Sequence, residues 1–411
     1  MSWAFLTRAK SERDLMDELG TAPKPRQAAE GLVLAESRPK RQDGHLAELA
    51  FARQAMKVAG TSPTEPDRVL RALTEALSAH EPRRGGAGTW TWALQVVAPD
   101  SADPLDPRRK VSAALEEALP DLLADRLSPA LQARAAAPDE ADRLLQVWVA
   151  KPEKAWIGLT AATQTMSRAP GGKTKLKRPA DAVSRSGLKL EEAIGWIGVG
   201  PDKGDLCADL GAAPGGWTQV AAGRGATVIA VDPAKMKVEL PKKRFVHAQQ
   251  SAFEYVPAET LDWVLCDMAW RPLEVAQLLA KWGHRVWARQ LIANFKLPMT
   301  QKAAILRQIL RTLEDAGWRG LRARQLFHDR DEVTVFGWLD PALAVLGPKA
   351  PFEFRARAGK APDAGAPRKA PRGSPRRGAR GRDAGPRARG TSRGSARTPA
   401  RGGGRRRPSG R

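Results

Sequence analysis

From Ser184 to about Pro348 the sequence alternates short apolar runs with helical stretches, and this alternation limits the folds open to it. Strands are expected at 205–210, 226–231, 243–247, 261–267, 288–296, 322–327 and 332–338, and helices at about 215–223, 272–282 and 300–316. The last helix is the best marked. Thr300 stands at its cap position, Ile305, Leu306, Ile309, Leu310 and Leu313 share one face, and Gly317 ends it. Strands separated by helices predict an α/β domain whose mainly parallel sheet is covered on both faces.

Where the first strand turns into a helix stands Asp209-Leu210-Gly211-Ala212-Ala213-Pro214-Gly215-Gly216-Trp217. Small residues let backbone approach a ligand closely, and a helix start offers unpaired N–H groups. Asp232 closes the next strand, where a carboxylate can accept hydrogen bonds from ribose hydroxyls. The dinucleotide fingerprint G-x-G-x-x-G is absent and Pro214 occupies the turn. A nucleoside cofactor without phosphate therefore fits better than a dinucleotide, and S-adenosyl-L-methionine (SAM) is such a molecule.

The remaining sequence divides into an N-terminal region, 1–166, a basic linker, 167–183, and a tail, 349–411. Residues 1–95 give few placeable elements. Beyond them a strand is expected at 90–98, helices at 110–123 and 128–135, and a hairpin of 143–149 with 156–159, which together read as a small α+β unit. The linker carries Pro170, Gly171, Gly172, Lys173, Lys175, Lys177, Arg178 and Pro179, the composition of a flexible join. Of the net charge of +23, +17 falls in 355–411, where 17 Arg and 2 Lys face Asp363 and Asp383. A segment of Arg, Gly, Pro, Ser and Ala cannot offset its ordering entropy by burial, so the tail is expected to be disordered and to meet the phosphates of RNA or DNA. No apolar run approaches the roughly 20 residues of a membrane helix, and Arg8 and Lys10 interrupt any signal-peptide core, so a cytoplasmic protein is expected. Cys207 and Cys266 are too few for a disulfide framework, and the five histidines are scattered, so no metal is expected. His328 reads as a structural or RNA-contacting group.

The glycine loop resembles the SAM loop of the FtsJ-like ribose 2′-O-methyltransferases. Ser184-Arg185-Ser186-Gly187-Leu188-Lys189-Leu190-Glu191-Glu192-Ala193, Asn294-Phe295-Lys296-Leu297-Pro298-Met299 and His328-Asp329-Arg330-Asp331-Glu332-Val333-Thr334-Val335 look like the RlmM family, which methylates a cytidine ribose in 23S ribosomal RNA. Leu46-Ala47-Glu48-Leu49-Ala50-Phe51-Ala52-Arg53-Gln54 is similar to a segment of that family's N-terminal region. The resemblance implies a Rossmann-like SAM-dependent methyltransferase domain at 184–348, preceded by a ferredoxin-like, THUMP-type RNA-binding region. It places a catalytic tetrad on Lys189, Asp267, Lys296 and Glu332, with Lys296 as proton acceptor. SAM contacts are implied for Ser186, the loop Asp209, Gly211, Ala213, Pro214, Gly215, Gly216 and Trp217, and for Asp232 and Asp267. Where the family has an acid after its third strand this chain has Ser251, which can still hydrogen-bond the adenine end.

Such chemistry needs residues of these types. A ribose hydroxyl is a poor nucleophile until its proton has somewhere to go, and a lysine can take it only in its neutral fraction. Burial and a neighbouring ammonium such as Lys189 push a lysine toward that form, whereas Asp267 and Glu332 push the other way and orient the lysines. The expected partners are 23S ribosomal RNA or a large-subunit assembly intermediate, met by a monomer. Trp196, Trp217, Trp270, Trp282 and Trp287 are candidates for stacking on unpaired bases, though most tryptophans in such a domain are core. The alternatives are an FtsJ-like enzyme with another RNA target, or a catalytically idle RNA-binding or ribosome-assembly factor on the same fold.

Overall fold

A computed structural model of the chain describes residues 2–20, 23–40, 46–80, 90–241 and 243–339. The tail, and with it the expectation of disorder, lies outside them. The elements run β1 (Trp3–Leu6), α1 (Glu12–Leu19), β2 (Arg26–Ala29), β3 (Leu32–Ala35), β4 (Gln54–Ser62), α2 (Pro66–Ser78), β5 (Trp92–Val97), α3 (Arg108–Arg126), α4 (Pro129–Gln132), β6 (Arg143–Lys151) and β7 (Lys154–Ala161). They continue with α5 (Gly187–Ile197), β8 (Leu206–Leu210), α6 (Gly216–Gly223), β9 (Thr227–Val231), β10 (Phe245–Ala248), β11 (Leu261–Cys266), α7 (Pro272–His284), β12 (Ala288–Lys296), α8 (Lys302–Asp315), β13 (Trp318–Arg324) and β14 (Glu332–Leu339).

The C-terminal elements form a seven-stranded sheet in the order β10-β9-β8-β11-β12-β14-β13. Its strands are parallel from β10 to β12, and β14 alone runs against its neighbours. Every residue of β8 is buried, as a strand covered on both faces requires. Alternate side chains divide between two helical layers. Cys207, Trp263, Leu265 and Ile292 pack with Leu190, Ala193, Trp217 and Ala221 of α5 and α6, while Ala208, Val264, Leu291 and Ala293 pack with Val275, Leu279, Ile309 and Leu313 of α7 and α8. Cys207 and Cys266 are both buried, and they belong to opposite faces. Burial pushes the Cys266 thiol up to about 12, which leaves it inert.

Most expected boundaries lie within two residues of the observed ones, but the end of the chain's fold departs further. The strand expected at 322–327 is β13, Trp318–Arg324, because Gly317 and Gly320 take positive φ and let the chain turn earlier. Helix α8 begins at Lys302, preceded by Gln301 in the left-handed region, so Thr300 does not cap it. Asp14 of α1 accepts from the Ala303 N–H at 3.4 Å instead, a cap supplied from 289 residues away. The helix expected at 128–135 is only the short α4.

The N-terminal elements form a second seven-stranded sheet, β2-β3-β1-β4-β7-β6-β5, with α2 and α3 on one face. Residues 1–62 thus contribute four of its strands where composition gave little sign of any. The segment 167–183 is not a free join. Gln54 and Gln95 donate to the carbonyls of Ser167 and Arg168 at 2.6 Å each, and Lys173 pairs with Asp100 at 2.9 Å. Residues of both sheets share one apolar cluster, in which Phe5, Leu15 and Leu49 join Leu306, Leu313 and Val335. Glu48 and Ala50 seal that join: Glu48 pairs with Arg322 at 2.7 Å, and Ala50 accepts from the Gln325 N–H at 2.8 Å.

Candidate active site

The chain leaves β8 toward β9 on one side and returns to β11 on the other, so a crevice opens at the carboxyl ends of β8 and β11. Gly211 closes β8 with φ +75°, and a Cβ there would lie 2.6 Å from the Met268 side chain. Gly215 has φ +118°, and a Cβ on Gly216 would meet Ser186 Oγ at 2.4 Å. The loop is therefore tight enough to exclude any side chain at these positions. The Ala213–Pro214 peptide within it is cis. Asp232, at the end of β9, accepts from the N–H groups of Ala213 at 3.1 Å and Ala234 at 2.7 Å, which ties the loop to the next strand.

Two expected cofactor contacts serve the loop from behind. Trp217 is buried at 2% exposure and donates its indole N–H to the Ser186 carbonyl at 3.0 Å, so its ring is core rather than a cofactor wall. Asp209 is 1% exposed; its Oδ2 accepts from the Thr218 hydroxyl at 2.6 Å, and its Oδ1 is buried without a partner. Burial pushes this carboxyl up to about 7. The Ser186 hydroxyl lies 2.6 Å from that of Ser184. Ser251 accepts from the Phe253 N–H at 3.3 Å, closing its own turn.

Lys189 of α5 carries the centre of the charged cluster. Its Nζ lies 3.3 Å from Asp267 Oδ1 and 3.3 Å from Glu332 Oε1, joining residues 78 and 143 positions away. Asp267 follows β11 and Glu332 opens β14. Lys296, the last residue of β12, stands directly opposite Glu332 in the antiparallel register. Directly opposed residues project on the same face, so Lys296 shares its side of the sheet with Glu332. Lys296 is exposed, so the burial expected to favour its neutral form is not found; its ammonium has no hydrogen-bond or ion-pair partner among the described residues, and the residue lines a hollow of about 400 Å³ with Arg271, Leu273, Glu274 and Pro298.

Electrostatically the cluster is lopsided. Burial opposes the charge on Lys189, but Asp267 and Glu332 outweigh it and hold the ammonium above the usual lysine range. Burial raises Asp267 despite the pull of Lys189 and an Asn294 hydrogen bond. Burial acts against the charge on Glu332 too, yet Lys189 and the Arg330 N–H, which donates at 2.6 Å, leave it below the usual range. Lys189 is thus a fixed cation, and Lys296 is the lysine without a carboxylate bonded to it.

Several supporting residues were not singled out in the sequence. Asn294 and Thr334, opposite each other on β12 and β14, and Asp329 form a buried polar layer under the cluster. Glu192, one turn after Lys189 on α5, accepts from the Phe327 and His328 N–H groups at 2.8 Å each and lies 2.7 Å from His328 Nδ1. His328 is therefore structural. The available signal was polarity in apolar surroundings: Asn294 sits within Leu291–Phe295, two residues from Lys296 and on its face. Among the candidate tryptophans Trp217 and Trp282 are core, Trp196 is half-buried under Arg322, and Trp270 is 51% exposed beside Phe253. Among the described residues no group of three or more His, Cys, Asp or Glu is placed to hold a metal ion. None of the described helices is long and apolar enough to cross a membrane.

Comparison with known proteins gives the family. The FtsJ-like methyltransferase family model matches residues 182–304. Ribosomal RNA large subunit methyltransferase M from Alkalilimnicola ehrlichii is 36% identical over 302 residues, covering 71% of this chain and 79% of the relative. The protein of that name from Laribacter hongkongensis is 33% identical over 361 residues, covering 82% of this chain and 97% of the relative. Identity at this level along nearly the whole length of a relative means that the chain belongs to the ribosomal RNA large subunit methyltransferase M family.

Proposed function

We propose that this protein transfers a methyl group from SAM to the ribose 2′-hydroxyl of a cytidine in 23S ribosomal RNA. The observation that carries the reading is Lys189 bridging Asp267 and Glu332 at 3.3 Å each, with Lys296 in register beside Glu332 and the glycine loop across the crevice. SAM is the cofactor of an FtsJ-like methyltransferase, and the residues present suit it. Side chains are excluded at Gly211, Gly215 and Gly216, which leaves backbone free to approach a ligand, and Asp232 offers a carboxylate at the next strand end. Ser186, Ala213, Pro214 and the loop backbone would hold its amino-acid and ribose portions, and Ser251 its adenine end. When bound, SAM supplies an electrophilic methyl on a positively charged sulfur.

The protein's own residues do the rest. Lys189, Asp267 and Glu332 form a rigid charged frame that fixes the hydroxyl in line, and alignment of this kind supplies up to about 7–11 kcal/mol. Lys296, free of carboxylate partners, accepts the hydroxyl proton in its neutral fraction, a contribution of about 10²–10⁴-fold. The N-terminal sheet and Lys175, Lys177 and Arg178 of the linker extend the RNA-binding surface. The work takes place in the cytoplasm, on 23S RNA or a large-subunit assembly intermediate. Mapping 2′-O-methyl groups on 23S RNA from cells with and without the protein tests this: one cytidine should lose its mark, and an identical map from both would refute the reading.

A further inference from the structure

Below Lys189, Asp267 and Glu332 lies a polar layer that the chemistry above leaves without a task. Asn294, Asp329 and Thr334 are 1%, 0% and 0% exposed, so each hydrogen atom between them must have a definite place. Asn294 Nδ2 donates to Asp267 Oδ1 at 3.2 Å and to Asp329 Oδ1 at 3.3 Å, which uses both amide hydrogens. Its Oδ1 accepts from the Thr334 hydroxyl at 2.6 Å. That hydroxyl also lies 3.1 Å from Asp329 Oδ2, yet it has one hydrogen, already given to Asn294. The Thr334–Asp329 contact is a hydrogen bond only if Asp329 brings the proton. With Asp329 neutral, every contact in the layer has one donor and one acceptor, and Oδ2 still accepts from the Leu326 N–H at 2.9 Å.

We propose that Asn294 and Asp329 are positioning residues, with Asp329 in its protonated form locking the Asn294 amide through Thr334 so that it holds Asp267 against Lys189. This rests on the methyl-transfer reading for its consequence, though not for the proton itself. A neutral Asp329 also spares the site a third negative charge beside Asp267 and Glu332, which would hold a proton on Lys296 more firmly. The charged groups facing Asp329 are Lys189 and Glu192 of α5 and Glu332 of β14; burial and the two glutamates favour the acid, Lys189 opposes it, and the carboxyl is pushed up to about 7.

Two measurements test the proposal separately. Infrared difference spectra of the full chain, wild type minus Asp329→Asn, read the acid directly and involve no methyl transfer. A protonated carboxyl band at pH 6 that fades by pH 8 is expected; the subtraction removes Asp209, which is also raised. No such band at pH 6 overturns the proposal. In methyl transfer to ribosomal RNA, Asn294→Ala should lower kcat about 10–100-fold with KM values nearly unchanged, and Asp329→Asn should lose less than Asp329→Ala. An unaltered kcat, or a loss confined to KM, would overturn the positioning role. An inactive wild type with the infrared band intact would instead count against the proposed function.

Discussion

Lys189 and Lys296 carry the same functional group into different surroundings. Two carboxylates at 3.3 Å fix Lys189 as a cation, while Lys296 has none bonded to it. This asymmetry assigns proton acceptance to Lys296, and Lys296→Arg tests it, because arginine keeps the charge and cannot give up its proton. Turnover should fall by about 10²-fold or more, with SAM affinity nearly unchanged in a binding titration. A variant with ordinary turnover and pH profile would remove Lys296 from that role. The candidate residues could be named from short motifs because each stands at a strand end, in a loop or in the first turn of a helix. Asn294 shows locally only as a polar residue in an apolar run, and its role with Asp329 comes from a contact between β12 and the loop before β14, 35 residues apart, that no local pattern encodes.

At the scale of elements, α5 and β14 must keep their relative placement for the cluster to exist, and Glu192 joins them through the loop before β14. Three hydrogen bonds converge on its carboxylate, from two backbone N–H groups and the His328 ring. Glu192→Gln retains one acceptor oxygen and turns an amide toward the rest, so it should lower stability by about 1–3 kcal/mol and reduce methyl transfer as well. An unchanged urea midpoint would show these bonds to be incidental. Strands β8, β11 and β12 were legible because burial on both faces produces continuous apolar runs between Gly- and Pro-bearing turns. β1, β2 and β3 were not, since four residues are too short to display a period and, unlike the equally short β10, they stand in no run of alternating strands and helices that would frame them. The start of α8 differs from expectation for another reason: its cap comes from Asp14, and a contact 289 residues away overrides Thr300.

Across the whole molecule, three buried carboxyls among the described residues, Glu18, Asp209 and Asp329, are pushed by burial to about 7 when folded, against about 4 when unfolded. Between those values the folded chain binds more protons, so stability falls as pH rises through roughly 4 to 7 and levels off above. Thermal melts should therefore show a lower midpoint at pH 7.5 than at pH 5.5, and the difference should shrink in Asp329→Asn. The opposite slope would mean that these acids are ionised in the native state. Charge also separates along the chain, with +17 of the net +23 in 355–411. Deleting that segment should make log affinity for RNA less steep against log salt, by about 0.7–0.9 for each phosphate the tail neutralises, while single-turnover methylation of bound RNA stays unchanged. An unaltered slope would exclude the tail from RNA binding. The central claim, methyl transfer to a ribose hydroxyl at the Lys189–Asp267–Lys296–Glu332 cluster, is tested most directly with purified protein, methyl-labelled SAM and unmodified 23S RNA, followed by nucleoside analysis. Wild type should place label on the 2′-oxygen of one cytidine, and Lys296→Arg should do so slower by about 10²-fold or more; label on a base, or equal rates of ribose labelling by both proteins, would refute methyl transfer at this cluster.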